Sequence, residues 1–114
     1  MALNKGQRIT DTHLVTLTNT VGAKKICTLA GALAAGQAFG FVTLEGGISG
    51  DKIAVAIGGV AIIIAGASGV TAAGDRVESD GSGLAQSYTN GVIIGRALNS
   101  AASGEEVQVV LGSN

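Results

Sequence analysis

Apolar and polar side chains alternate along several short stretches of the chain, as they do in β-strands that bury one face. In the clearest of these stretches Val, Ile or Leu occupies alternate positions: residues 14–20, 53–57 and 106–111. Further strands are predicted over residues 23–29, 37–44, 60–65 and 92–98. The pattern predicts an all-β fold, a small barrel or sandwich of short antiparallel hairpins.

One four-residue pattern occurs three times, each time after a loop of small residues. It consists of a glycine, an acid, a charged residue and a β-branched residue: Gly50-Asp51-Lys52-Ile53, Gly74-Asp75-Arg76-Val77 and Gly104-Glu105-Glu106-Val107. The glycine can supply the positive φ that a tight return needs, because it has no Cβ. The third copy closes the last strand pair around the loop 99–104. Three copies favour a chain built of hairpins.

Residues 60–65 are apolar on both faces, so a strand there must be buried on both sides. Packing of Ala61, Ile63 and Ala65 against a second subunit is one way to cover the second side, and a loop of the same chain is another. Only two Phe and one Tyr occur in the 114 residues, and the single Cys27 excludes an internal disulfide. A small aliphatic core without disulfides favours oligomerisation as a source of stability.

Residues 53–74 hold no charged side chain and are long enough to span a bilayer as a helix. A single-span membrane protein is therefore an alternative interpretation. The internal glycines are costly in a helix, and the β-branched residues favour strands instead. In the strand interpretation, Gly58-Gly59 forms a two-residue hairpin turn between residues 53–57 and 60–65.

The first 13 residues are polar and show little apolar periodicity. We expect residues 1–13 to form an N-terminal arm, either a disordered tail or an extended segment that becomes ordered on a partner. Residues 14–114 then form a single β domain. The candidate contact residues of the arm are Lys5, Arg8, Asp11 and His13. A formal net charge of −1 with 13% charged residues is not the balance of a nucleic-acid-binding protein.

Few residues could carry catalysis. His13 is the one histidine and Cys27 the one cysteine, and no Walker loop, G-x-S-x-G or H-E-x-x-H motif occurs. Asp75, Glu78 and Asp80 could bind calcium or a ligand, but their spacing departs from the EF-hand pattern, and a solvated turn is the simpler interpretation. We therefore expect no enzyme, no cofactor and no metal site, with a small ligand-binding β-barrel as a further alternative.

From about Gly50 to Leu111 the chain resembles a family of small capsid decoration, or cement, proteins of tailed bacteriophages. The resemblance is carried by Gly74-Asp75-Arg76-Val77, by residues 92–98 (VIIGRAL) and by residues 101–109 (AASGEEVQV). Members of this family also bear recombinase-like names. A recombinase ATPase needs a Walker loop and a far longer α/β chain, so that function finds no support in this sequence.

The resemblance implies a structural virion protein. Proteins of this kind bind the outside of an expanded capsid shell, often as trimers, and tie neighbouring capsid subunits together. For this chain the resemblance implies the major capsid protein as partner, a homotrimer, a position on the capsid exterior, and neither nucleic acid nor membrane as a ligand.

Overall fold

The computed structural model describes residues 8–28, 30–32, 40–80 and 82–112. Within these ranges the chain forms eight β-strands and no helix, which confirms the all-β prediction. The strands are β1 (Arg8–Thr16), β2 (Ile26–Cys27), β3 (Phe41–Thr43), β4 (Lys52–Ile64), β5 (Arg76–Ser79), β6 (Ala85–Ser87), β7 (Gly95–Ala97) and β8 (Glu106–Leu111).

The strands form one sheet in the order β2-β3-β4-β8-β7-β5-β6, and β1 also pairs with β4. All pairings between these strands are antiparallel. The two ends of the sheet approach each other, because the Ile26 amide in β2 donates to the Gly83 carbonyl just before β6, at 2.7 Å. The sheet thereby nearly closes into a small barrel.

The longest strand, β4, runs through the predicted hairpin turn at Gly58-Gly59. It continues past both glycines and pairs with β1, β3 and β8. The β1–β4 register is interrupted opposite these glycines, as at a β-bulge. Gly59 has a φ of +92°, and a Cβ there would lie 2.1 Å from the Arg8 carbonyl oxygen. The turn prediction was wrong because a glycine pair serves a close backbone approach as well as a hairpin.

The irregularity at Gly58-Gly59 also reverses the alternation of β4. Before it, Val55 is buried in a smaller cluster and Ala56 in the main core. After it, Ala61 and Ile63 lie in the main core. Even-numbered Ala56 faces the main core before the bulge, whereas odd-numbered Ala61 and Ile63 face it afterwards. The bulge therefore shifts the alternation of the strand by one residue. One strand thereby serves two hydrophobic clusters.

The two clusters draw on different but overlapping parts of the chain, since Ile26 and Val42 of the first half also belong to the main core. The main core fills the barrel and includes Val77, Ala97, Val107 and Val109 beside the residues of β4. The second cluster is made of buried residues of the first half of the chain: Val15, Leu17, Val21, Cys27, Ile53 and Val55. Phe41 packs half-buried against it, while Phe39 lies outside the described residues.

Residues 8–13, predicted as part of an arm, belong to β1. They pair with β4 from Arg8 opposite Val60 to His13 opposite Val55. The sheet therefore begins before residue 13. Nearly all side chains of β1 before Val15 are exposed, so this part of the strand lacks the apolar alternation by which a strand is predicted from sequence. Residues 1–7 lie outside the described residues.

The membrane-spanning alternative is not supported. Residues 53–64 of the candidate span lie in β4, and the rest of it contains turns and bridges. In the described part of the chain, no helix has the length and apolar character to cross a bilayer.

The three glycine–acid copies form the same turn, as the sequence predicts. Gly50, Gly74 and Gly104 have φ of +95°, +92° and +84°, respectively. In each turn the amide of the acid donates to the carbonyl three residues earlier, and its carboxylate accepts a hydrogen bond from the amide of that earlier residue. The pairs are Asp51 with Ile48, Asp75 with Ala72 and Glu105 with Ala102.

Each turn also holds a distant segment by two main-chain hydrogen bonds of 2.7 to 2.9 Å. The amide of the glycine donates to one residue of that segment, and the carbonyl of the acid accepts from the same residue. The residues held are Leu17 after β1, Ala97 in β7 and Ala65 after β4. The repeated pattern therefore turns the chain and fastens the end of another strand.

Gly59→Ala and Gly74→Ala form a matched pair, because both glycines have a φ of +92° but nothing lies within 4 Å of a Cβ at Gly74. We expect Gly74→Ala to lower the free energy of unfolding by about 1–2 kcal/mol, the cost of the backbone conformation alone. Gly59→Ala must also displace β1, and we expect a loss of about 3 kcal/mol or more. Urea unfolding measures both values. Equal losses would show that β1 does not press against Gly59.

Candidate functional site

Strand β1 carries three of the four predicted contact residues. Arg8, Asp11 and His13 are all exposed, and β1 pairs only with β4 among the described strands. Leu14 on the same strand is 62% exposed, which adds an apolar side chain to this polar surface. The fourth residue, Lys5, lies outside the described residues. The structure thus exposes Arg8, Asp11 and His13 to solvent along one strand.

The three residues predicted to pack against a second subunit lie in the interior. Ala61, Ile63 and Ala65 are at most 1% exposed and belong to the main core of their own chain. They therefore offer no surface to a second copy, and coverage comes from the same chain. The opposite face of β4, with Val60, Ile62 and Ile64, is half-buried.

The acidic residues considered for calcium do not form one site. The Asp75 carboxylate accepts hydrogen bonds from the Ala72 amide and the Ser87 hydroxyl, both at 3.1 Å. The Asp80 carboxylate accepts from the amides of Ser82 and Leu84 at 2.7 and 3.1 Å. Across the described ranges, no three His, Cys, Asp or Glu side chains are grouped as a metal site would require. Each of these carboxylates instead caps its own loop.

Glu78 differs from the solvated carboxylate that the sequence predicts, because it is fully buried at 0% exposure. Its Oε2 accepts hydrogen bonds from Gln86 Nε2 at 2.6 Å and Thr89 Oγ1 at 2.8 Å. Its Oε1 accepts from the Gly91 amide at 2.7 Å. Glu78 thereby ties the loop that follows β6 to strand β5.

Burial by itself would raise the pKa of Glu78. The hydrogen bonds from Thr89, Gln86 and the main-chain amides of Gly91 and Thr89 outweigh burial and lower the pKa to about 2. A carboxylate with so low a pKa stays ionised at neutral pH and is a poor proton donor or acceptor there. Its role is structural. The sequence held one sign of this buried position, the turn dipeptide Asn90-Gly91. A turn that folds onto β5 brings main-chain donors such as the Gly91 amide to the Glu78 carboxylate.

Cys27, the only cysteine, is buried in the second cluster. Burial raises the pKa of its thiol, and the thiol lies 3.2 Å from the Thr28 carbonyl oxygen. Both features favour the inert, protonated form. This agrees with the prediction of a small buried hydrophobic residue.

An apolar cleft of about 180 Å³ opens between the two clusters. Its lining is mainly aliphatic, with one aromatic ring: Gly40, Phe41, Ile57, Ile93, Ile94, Leu111 and Gly112. Small-molecule sites usually have a volume of roughly 300–1,000 Å³ and a few convergent polar groups. The cleft is smaller, and no polar side chain is among its lining residues. The ligand-binding alternative therefore gains no support from it.

These features define a small antiparallel β-barrel whose buried polar groups serve the fold. Neither a protein-family model nor a curated protein matches the chain. Among solved structures, the chain is similar to the N base of the head fiber gp8.5 in bacteriophage phi29, with a TM-score of 0.72. The likeness covers 90% of this chain and 93% of that chain at 18% sequence identity, and it shows a shared fold.

Glu78→Gln is expected to lower stability and to flatten its dependence on acid pH. The pKa of Glu78 is lowered from 4.5 to about 2 in the fold. The ionised carboxylate therefore contributes its full stabilisation above pH 4.5, and this contribution is lost as the pH falls towards 2. The shift corresponds to about 3 kcal/mol.

The measurement is urea unfolding of the wild type and of Glu78→Gln between pH 2 and pH 7. Glu45→Gln is the matched control, because the exposed Glu45 carboxylate accepts one main-chain hydrogen bond, from Ala54 at 3.0 Å. We expect a loss of no more than about 1 kcal/mol for the control. A Glu78→Gln variant with the acid dependence of the wild type would contradict the assignment.

Proposed function

We propose that this chain is a non-enzymatic structural protein of a phage virion. In this proposal it binds the outer surface of the capsid and bridges neighbouring subunits of the major capsid protein. The observation that carries the proposal is the barrel shared with the phi29 head fiber N base over 90% of the chain. The finer part of the proposal, binding to the capsid exterior and bridging of its subunits, rests on the resemblance of residues 50–111 to capsid decoration proteins; no protein-family model matches the chain.

Bridging would stabilise the shell by mass action. A protein that binds the assembled lattice more tightly than free subunits lowers the free energy of the closed shell. A homotrimer would place three copies of each weak contact on the lattice at once and so increase the overall affinity. Neither nucleic acid nor a membrane is needed for this activity.

In this proposal, the contact with the capsid includes Lys5 and the exposed β1 residues Arg8, Asp11 and His13. Removal of residues 1–7 tests how much Lys5 contributes to capsid binding, because it leaves β1 intact from Arg8 onward. Removal of residues 1–12 would destroy most of β1 and could not separate binding from folding.

The test is cosedimentation of the purified chain with empty expanded heads of the phage that encodes it. We expect saturable binding by the wild type and about tenfold weaker binding after removal of residues 1–7, because each 1.4 kcal/mol changes an affinity tenfold. Absence of wild-type binding would overturn the proposed function. Equal binding by both forms would remove the N-terminal residues from the contact but leave the function standing.

The trimer is tested by light scattering of the purified protein. We expect a particle of three times the 11.1 kDa chain mass. A mass of one chain at every concentration would contradict a trimer in solution.

A further inference from the structure

Directly opposed residues of antiparallel strands point to the same face of a sheet, so one row of side chains can be followed across several strands. From β4 through β8 and β7 to β5 one row consists of Val60, Val110, Arg96 and Arg76. On each of these strands, the neighbouring residue whose side chain points to the opposite face of the sheet is buried. These residues are Ala61, Val109, Ala97 and Val77. The row therefore lies on the outside of the barrel.

A second row runs beside the first. Ile62 is opposite Gln108, and the Leu98 amide donates to the Gln108 carbonyl at 2.8 Å. Leu98 is 48% exposed, while Ile62 and Val110 are half-buried. The two rows together place aliphatic side chains beside two arginines, with the half-buried Gln108 side chain between Ile62 and Leu98. We call this surface the outer face, with the members Val60, Ile62, Leu98, Val110, Arg76 and Arg96.

The two arginines of the outer face are direct cross-strand partners. Like charges directly opposite each other destabilise a sheet. One Arg96 nitrogen donates to the Gly74 carbonyl oxygen at 3.0 Å, whereas Arg76 is exposed. In the part of the chain that the structure describes, no carboxylate lies within ion-pair distance of Arg76. Arg8, opposite Val60, extends the row by another exposed guanidinium.

We propose that the outer face is the docking surface for a protein partner that presents carboxylates around an apolar centre. Bidentate contacts with carboxylates suit the guanidinium groups, and removal of the aliphatic side chains from water supplies the non-specific part of the affinity. This inference rests on the proposed function, under which the partner is the major capsid protein.

Two other occupants fit the outer face less well. A second copy bound face to face about a two-fold axis would bring the arginines of both copies together, which costs free energy. A nucleic acid would satisfy the guanidinium groups, but its phosphates would leave Val60, Ile62 and Leu98 without apolar partners. A protein surface with acidic and apolar side chains satisfies both halves of the outer face.

The test compares Arg76→Glu with Lys52→Glu in binding to the empty expanded heads. Both variants make the same change of charge at an exposed strand residue, but Lys52 lies at the start of β4 on the other side of the bulge. We expect Arg76→Glu to weaken binding about tenfold or more and Lys52→Glu to change it less than about twofold. The melting temperature of Arg76→Glu should be equal to or above that of the wild type, because the like-charge pair becomes an opposite-charge pair.

The outcomes separate the two proposals. Wild-type binding with equal binding by Arg76→Glu would overturn the docking surface alone, whereas no wild-type binding would overturn the proposed function and the capsid partner with it. Light scattering is run in parallel, and a change of oligomeric state in Arg76→Glu would show that the face binds a second copy. A mobility shift of duplex DNA by the wild type that Arg76→Glu abolishes would assign the face to nucleic acid. Either of these last two results overturns the protein docking surface.

Discussion

The pairing of β4 with three other strands is the interaction on which the rest of the structure depends. β1, β3 and β8 come from the beginning, middle and end of the chain, and each finds its register on this one strand. The bulge at Gly58-Gly59 allows the same strand to serve two clusters, since it changes which side chains face the main core. A side chain at position 59 would clash with the backbone of β1 at Arg8 and Thr10. The barrel therefore depends on a close approach of two backbones as much as on hydrophobic area.

The order of residue types within a few positions of the chain was sufficient to predict the glycine–acid turns. The positive φ of Gly50, Gly74 and Gly104 was predictable because it depends on the glycine itself, whereas the capping role of the acid that follows was found only in the structure. The course of β4 through Gly58-Gly59 could not be predicted in this way, because Gly59 is required by the close approach of the Arg8 carbonyl, some fifty positions earlier in the chain. Residues 8–13 were assigned to an arm because an exposed strand has no apolar alternation to reveal it. Glu78 was placed in solvent because its partners, Thr89 and Gly91, come from a loop whose position the sequence does not specify.

The barrel separates its stabilising groups from the groups that remain available for recognition. Ala61, Ile63 and Ala65 fill the interior, although an apolar strand suggested that they would meet a second subunit. Glu78 and Cys27 are likewise committed to the fold, one by hydrogen bonds and the other by burial. What is left outside is the exposed side of β1 and a sheet face on which two arginines oppose each other. Arg76 is exposed there, whereas Arg96 also donates a hydrogen bond to the Gly74 carbonyl oxygen and so takes part in holding the fold.

The division into two clusters also bears on how the chain folds as it is synthesised. The second cluster is drawn from residues 15–55 alone, whereas the main core includes Val107 and Val109 of the last strand. A chain that leaves the ribosome from its N-terminus can pair β1 and β3 with β4 while β8 is still to be made. During that interval the second half of β4 lacks its β8 partner, and the β8 of another copy would fit the same register. Domain swapping is a general hazard for chains that expose such a register, and for this barrel the last strand is the element that would be exchanged.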